Sequence, residues 1–327
     1  MSTAIRTALV TGATGFIGAA LCRKLSREGV RTVAVTRALT RASSATTPLA
    51  GLPGVTLVET PSFEVDPLRE ALRGVEADVV FHLAAYGVHP DQRDSELMIE
   101  GNVDLVARLL LATEGWPLRR FLHAGTCSEY APAAEPDRLT EAHPLAPQSL
   151  YGAAKVAASV YGAAFARKLG VPFVTLRLFG VYGPGEGPHR LIPYLVQSLA
   201  RVELPSLTGG AQARDMTYID DVADAFLAAA RAPELAPYEA YNLCSGVPVR
   251  IRDIALTVAE LLGRKEADLG LGRRPYRSDE PMWLVGDGDR FQRATGWRPG
   301  VSLDEGLRRA TLSALEAASA GSGTGAT

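Results

Sequence analysis

Short apolar runs alternate with helical stretches along the first half of the chain. Thr7–Thr11 is an apolar run, Gly12–Gly18 a turn, and Ala19–Glu28 a predicted helix that Gly29 ends. Thr32–Thr36 is a second β run, and the polar, patternless stretch from Arg37 to Leu52 reads as a loop. Val55–Val58 predicts a third strand. Asp66–Leu72 predicts a helix with Asp66 as N-cap and Pro67 in its first position. Asp78–Leu83 is almost continuously apolar, as a strand buried on both faces requires. Leu97–Ala112 is helical, Arg120–Ala124 a strand, Leu150–Leu169 a long Ala-rich helix and Pro172–Leu178 a sixth strand. Strand–helix alternation at this spacing predicts an α/β fold: a doubly wound parallel sheet with helices on both faces.

After Gly180 the pattern becomes short and mixed, and it is read as a smaller α/β substrate-binding domain against the carboxyl edge of the sheet. The expected division gives residues 1–178 and 215–245 to a dinucleotide-binding domain. Residues 179–214 and 246–316 go to the substrate domain. Ala317–Thr327, made of Ala, Gly, Ser and Thr only, is expected to be a disordered tail.

Composition narrows the function classes. The 327 residues suit two domains, or one large unit with an appendage. A net charge of −2 gives no basic excess for nucleic acid or an anionic membrane. Three scattered cysteines and five histidines without ligand spacing predict neither a disulfide framework nor a metal site. No stretch reaches the ~20 apolar residues of a membrane span. The first β run already begins at Thr7, so no signal peptide is read and a cytoplasmic location is expected. Lysine is scarce, four against 30 arginines, which gives any lysine in a chemical motif more weight.

Two motifs carry chemistry. Gly12, Gly15 and Gly18 lie between a predicted strand and a helix, where glycines permit a tight turn and close approach to a pyrophosphate. This is a Rossmann-type dinucleotide signature. The second strand ends in Arg37, with Arg41 nearby and no carboxylate, so a 2′-phosphate is favoured: NADP(H), with NAD(H) the alternative. Tyr151 and Lys155 stand at i and i+4 on one helical face, where an ammonium is expected to lower the pKa of the phenol.

With these come Phe81–Ala85, Asn102–Val103, Arg177–Gly185, Arg214–Val222, Tyr241–Gly246 and Gly296–Pro299. The ordered set resembles the extended short-chain dehydrogenase/reductase family, specifically its nucleotide-sugar epimerases, dehydratases and reductases. That resemblance implies catalytic roles for Thr126, Tyr151 and Lys155. It implies cofactor contacts from Gly12, Thr14, Gly15, Phe16, Ile17, Gly18, Arg37, Arg41, Leu83, Ala84, Ala85, Tyr151, Lys155 and Phe179. For substrate it implies Tyr86, Thr126, Ser128, Gly180, Arg214 and Arg277, the two arginines gripping a diphosphate.

Departures from the family matter as much. Its 4,6-dehydratases carry Asp-Glu after the catalytic Thr; here Cys127 and Ser128 stand there, which argues against dehydration. Cys127 is read as a packing residue, His82 likewise, and Gly180 replaces a family Asn near the diphosphate. The stretch Arg274–Asp287 looks most like the 4-keto-sugar reductases. The expected function is therefore NADPH-dependent reduction of a nucleotide-linked 4-keto-6-deoxyhexose. Alternatives are a nucleotide-sugar 4-epimerase, a reductase of small carbonyls, and a non-catalytic NADP-binding regulator. The resemblance also implies a homodimer through helices 97–112 and 150–169.

Overall fold

In the computed structural model, which describes residues 4–37, 49 and 51–322, alternate residues of β1 (Thr7–Thr11) serve opposite faces. Ala8 and Val10 join one core with α1 (Phe16–Arg27) and α7 (Ile219–Arg231). Leu9 joins another, with α2 (Val65–Ala71), α4 (Leu105–Ala112) and α5 (Leu150–Leu169). Burial on both faces is why the strands read as nearly continuous apolar runs.

Seven strands form the main sheet. With β2 (Arg31–Arg37), β3 (Val55–Thr60), β4 (Val79–His82), β5 (Arg120–Thr126), β6 (Phe173–Leu178) and β9 (Ala240–Leu243), the order is β3-β2-β1-β4-β5-β6-β9. Every neighbouring pair is parallel. This is the doubly wound sheet that the alternation predicts, and its strand order reverses between β1 and β4, where such sheets bind ligands.

A smaller sheet is centred on β8 (Ala213–Tyr218), which pairs with β7 (Gly180–Tyr182), β10 (Pro248–Arg250) and β11 (Trp283–Leu284). Residues 215–218 thus stand with the second sheet and not the first. The buried Asp215 carboxylate ties this region together, accepting hydrogen bonds from Ser245 N and Oγ at 2.7 Å each, Gly246 N at 2.8 Å and Gly286 N at 3.2 Å.

Several boundaries differ from expectation. Helix α1 begins at Phe16, because the turn is complete at Gly15 and Gly18 already packs within the first helical turn. Helix α2 takes Glu64 as its N-cap residue, without a side-chain cap bond, so Asp66 lies inside the first turn. The predicted helix 97–112 starts earlier, at α3 (Ser95–Ile99), where Asp94 accepts from the Glu96 and Leu97 amides at 2.9 Å. It then widens into a π turn over Glu100–Asp104 before α4. There the buried Asn102 amide donates to the Tyr86 and Met98 carbonyls, both at 2.9 Å. The first part of the expected tail is helical: α10 (Leu303–Ser322) runs on past Ala317, because its Ala-rich composition favours helix once Leu307 and Ala310 anchor the first turns in the core, and residues 323–327 lie outside the described residues.

Candidate active site

The glycine-rich turn shows what it is shaped for. Gly12 has φ +70°, and a Cβ there would stand 2.6 Å from the Ala84 amide nitrogen, so the turn lies directly against Leu83–Ala85 after β4. Helix α1 has Gly15 as its N-cap, with no side-chain cap bond and no acidic residue in its first turn, leaving amide N–H groups and positive dipole for an anion. Thr14, Phe16 and Ile17 are half-buried around it. The residues present fit a dinucleotide pyrophosphate. Arg37 is exposed at the carboxyl end of β2, while Arg41 lies outside the described residues.

The expected catalytic residues come from two elements. Thr126 ends β5, and its Oγ1 accepts from the Ser128 amide at 3.2 Å. Ser149 opens α5 by accepting from the Gly152 amide at 3.1 Å. Gly152 packs on the Ser128 carbonyl so closely that a Cβ would overlap it. That contact lays the first turn of α5, with Tyr151, against the Thr126–Ser128 turn. On its other side the Tyr151 ring meets Gly87, a residue after Tyr86. One helical turn on, Lys155 is 1% exposed and its Nζ lies 3.2 Å from His123 Nε2.

The electrostatics correct one expectation. Burial pushes the Tyr151 phenol up, helped by Glu129 and Cys127 and opposed by Arg190. Desolvation outweighs any help from the neighbouring lysine, whose ammonium is bonded to His123. Burial pulls Lys155 down to about 8, against the opposing pull of Glu129. His82 is driven to about 3 and His123 well below its ordinary value, by burial first and Lys155 second, so both rings are neutral.

Sequence reasoning missed a carboxylate beneath this set. Glu129, fully buried, accepts from the Thr126 amide at 2.9 Å and from Arg177 Nε at 2.8 Å. Arg177 also donates to Tyr130 Oη at 3.1 Å, and Tyr130 donates to Asn242 Oδ1 at 2.6 Å. Burial pushes the Glu129 carboxyl up, against the pull of Arg177 and the Thr126 amide. The signal was present as the spacing Thr126-x-x-Glu129, a capping box, which the chain forms here.

The expected substrate residues divide. Arg214 and Arg277 are brought together by Glu280, whose carboxylate bonds Arg214 at 2.7 Å and Arg277 at 3.1 Å. Arg214 is mostly buried and also donates to the Pro281 carbonyl at 2.7 Å, whereas Arg277 is exposed. Gly180 can offer only backbone, since a Cβ would stand 2.7 Å from the Asp215 carbonyl oxygen. Phe179 is buried with Cys127, Tyr130, Leu139 and Cys244, and the Cys127 thiol is pushed up to about 12 by that burial, as a packing cysteine should be. Two loops meet over the site, the His89 and His189 rings standing 4.5 Å apart.

Comparison with known proteins agrees with this architecture. A family model described as the NAD dependent epimerase/dehydratase family matches residues 8–244. A probable dTDP-glucose 4,6-dehydratase of Sinorhizobium fredii is 27% identical over 92% of this chain and 90% of its own length. The crystal structure of UDP-glucuronic acid 4-epimerase from Bacillus cereus, in complex with UDP-glucuronic acid and NAD, superposes with a TM-score of 0.85. It is 26% identical and covers 95% of this chain and 99% of that one. DesIV, a dTDP-glucose 4,6-dehydratase from Streptomyces venezuelae with NAD bound, gives 0.83 at 26% identity, over 95% of this chain and 97% of that one. By the match over residues 8–244, with the glycine-rich turn and the Thr126, Tyr151 and Lys155 positions inside it, the chain belongs to the NAD-dependent epimerase/dehydratase family of extended short-chain dehydrogenase/reductase enzymes.

Proposed function

We propose that the protein is an NADPH-dependent reductase of a nucleoside-diphosphate-linked 4-keto-6-deoxyhexose. The reading is carried by the approach of α5 to the turn after β5, Gly152 against the Ser128 carbonyl, which brings the start of α5 with Tyr151 to the turn that holds Thr126, with Cys127 and Ser128 where dehydration would need carboxylates. Glu129 does not fill that role, being bonded to Arg177 and the Thr126 amide.

A nicotinamide dinucleotide on the Gly12–Gly18 turn supplies the two-electron couple. The chain supplies the rest. Thr126 Oγ1 already accepts from Ser128 N, so its hydrogen is free to bond a carbonyl oxygen. Burial keeps the Tyr151 phenol protonated at neutral pH, and protonated is the form that carbonyl reduction consumes. Lys155 brings positive charge to the same pocket, where an oxygen gaining negative charge is stabilised. Arg214 and Arg277 offer guanidinium forks to a diphosphate, and Arg37 offers one to a ribose 2′-phosphate.

A second reading, a nucleotide-sugar 4-epimerase with retained NAD, is favoured by the B. cereus epimerase and its bound UDP-glucuronic acid and NAD. It would use the same Thr126, Tyr151 and Lys155, with the phenol as base in its oxidising half and as acid in its reducing half. The test is nicotinamide absorbance with dTDP-, CDP- and GDP-linked 4-keto sugars. Stoichiometric NADPH oxidation is expected, with Arg37→Ala eroding the preference for NADPH over NADH. Interconversion of 4-epimers without added NADPH, and no oxidation of it, would overturn the reductase.

The apolar side chains left outside on α3 and α5, Leu97, Ile99, Leu150, Val160 and Tyr161, fit a homodimer packed through these helices. Light scattering on the purified chain tests it, with twice the chain mass expected.

A further inference from the structure

Thr11, His82 and His123 stand opposite one another on β1, β4 and β5, a polar row across an otherwise apolar sheet face. His82 Nδ1 lies 2.7 Å from Thr11 Oγ1, and the His82 and His123 rings are 5.2 Å apart. Lys155 closes the row at 3.2 Å from His123 Nε2, and all four residues are buried. A buried ammonium needs acceptors, and a carboxylate is the usual one. Glu129 is engaged elsewhere, with Arg177, the Thr126 amide and Ser159 Oγ. The hydrogen bond from Lys155 goes instead to a neutral imidazole.

We propose that His123 is a positioning residue for Lys155: its Nε2 accepts the hydrogen bond of the buried ammonium, fixes where that charge stands one turn from Tyr151, and helps keep it a cation. The acceptor role puts the His123 proton on Nδ1. A second proton is opposed by burial, by Lys155 and by His82. The charged and titratable groups around Lys155 are His123 from β5, His82 from β4, Glu129 from the turn after β5, and Tyr151 from its own helix.

The sign follows. A hydrogen bond to the charged form raises a lysine pKa, so losing the acceptor lowers a value that burial has already brought to about 8. The cation is then lost at lower pH. Only the effect on turnover rests on the reductase reading; the effect on the lysine does not.

The chain has four lysines, so a spectrum of the full chain labelled with 13Cε-lysine has few signals, and Lys155→Arg identifies the relevant one. His123→Leu is expected to lower the Lys155 midpoint by about one pH unit. His123→Gln, whose amide oxygen can accept in place of Nε2, is expected to restore it and also guards against a folding defect in the Leu variant. A midpoint unchanged or raised in His123→Leu would overturn the proposal. The alkaline limb of kcat for NADPH oxidation should move with the midpoint. A shifted midpoint with an unmoved limb would uphold His123 as the partner of Lys155 and count against the reductase mechanism instead.

Discussion

The floor and the mouth of the site are built in opposite ways. On the floor, Thr126, Glu129, Lys155 and His123 come from β5, the turn after it and α5; Glu129 holds the Thr126 amide and Lys155 meets His123 Nε2 in near-complete burial. At the mouth, Arg214, Arg277 and Glu280 come from a strand and a loop of the second region, and Arg277 stands largely in solvent. Charge on the floor acts through a dry medium, where losing a charged partner is costly. Charge at the mouth is screened and exchangeable. On the proposed function, the difference gives chemistry to the floor and choice of substrate to the mouth.

Four substitutions break or sharpen that contrast. Tyr151→Phe should lower kcat by about 10²- to 10⁴-fold, the range for losing a positioned proton donor, while NADPH binding by fluorescence titration stays unchanged. Equal loss of both would remove the phenol from the chemistry. Glu129→Ala leaves the Arg177 guanidinium buried and unpaired, and should cost about 3–5 kcal/mol in urea unfolding. A cost below about 1 kcal/mol would mean the floor relaxes like a surface. Arg214→Ala should raise KM roughly tenfold to a hundredfold with little change in kcat, as loss of a charge-assisted bond of about 1.5–3 kcal/mol implies. Arg277→Ala should change KM only a few-fold, consistent with an exposed pair worth under about 1 kcal/mol, and the difference should vanish in high salt. If Arg277 proved as costly as Arg214, the mouth would be closed and dry when substrate is bound.

What the chain discloses by itself is local. The turn at Gly12–Gly18 and the helix Leu150–Leu169 are legible because their signals sit within a few residues: glycines at a strand end, Ser149 at one helix end and Gly170, in the left-handed region, at the other. The cap of α2 was misread because Asp66 has the right chemistry but the chain turns into the helix two residues earlier, at Glu64. The start of the tail is helical as far as Ser322 because alanines extend a helix already begun at Leu303, which its small polar residues do not announce. The site is legible as a set of residues but not as a circuit. Lys155 meets His123 across 32 positions and Arg214 meets Glu280 across 66, and no periodicity encodes which partner a long side chain selects. Nor does spacing reveal that burial would outweigh an ammonium at Tyr151.

The widened turn at Glu100–Asp104 has a consequence for how this chain tolerates change in length. A π turn holds one residue more than α winding, so removing a single residue there would convert the segment to ordinary helix while the turns on either side keep the faces they now present. Asn102 would swing off the Tyr86 carbonyl, releasing the peptide next to Gly87 and the Tyr151 ring. A one-residue deletion would then loosen the wall beside Tyr151 while leaving the two ends of the helix intact.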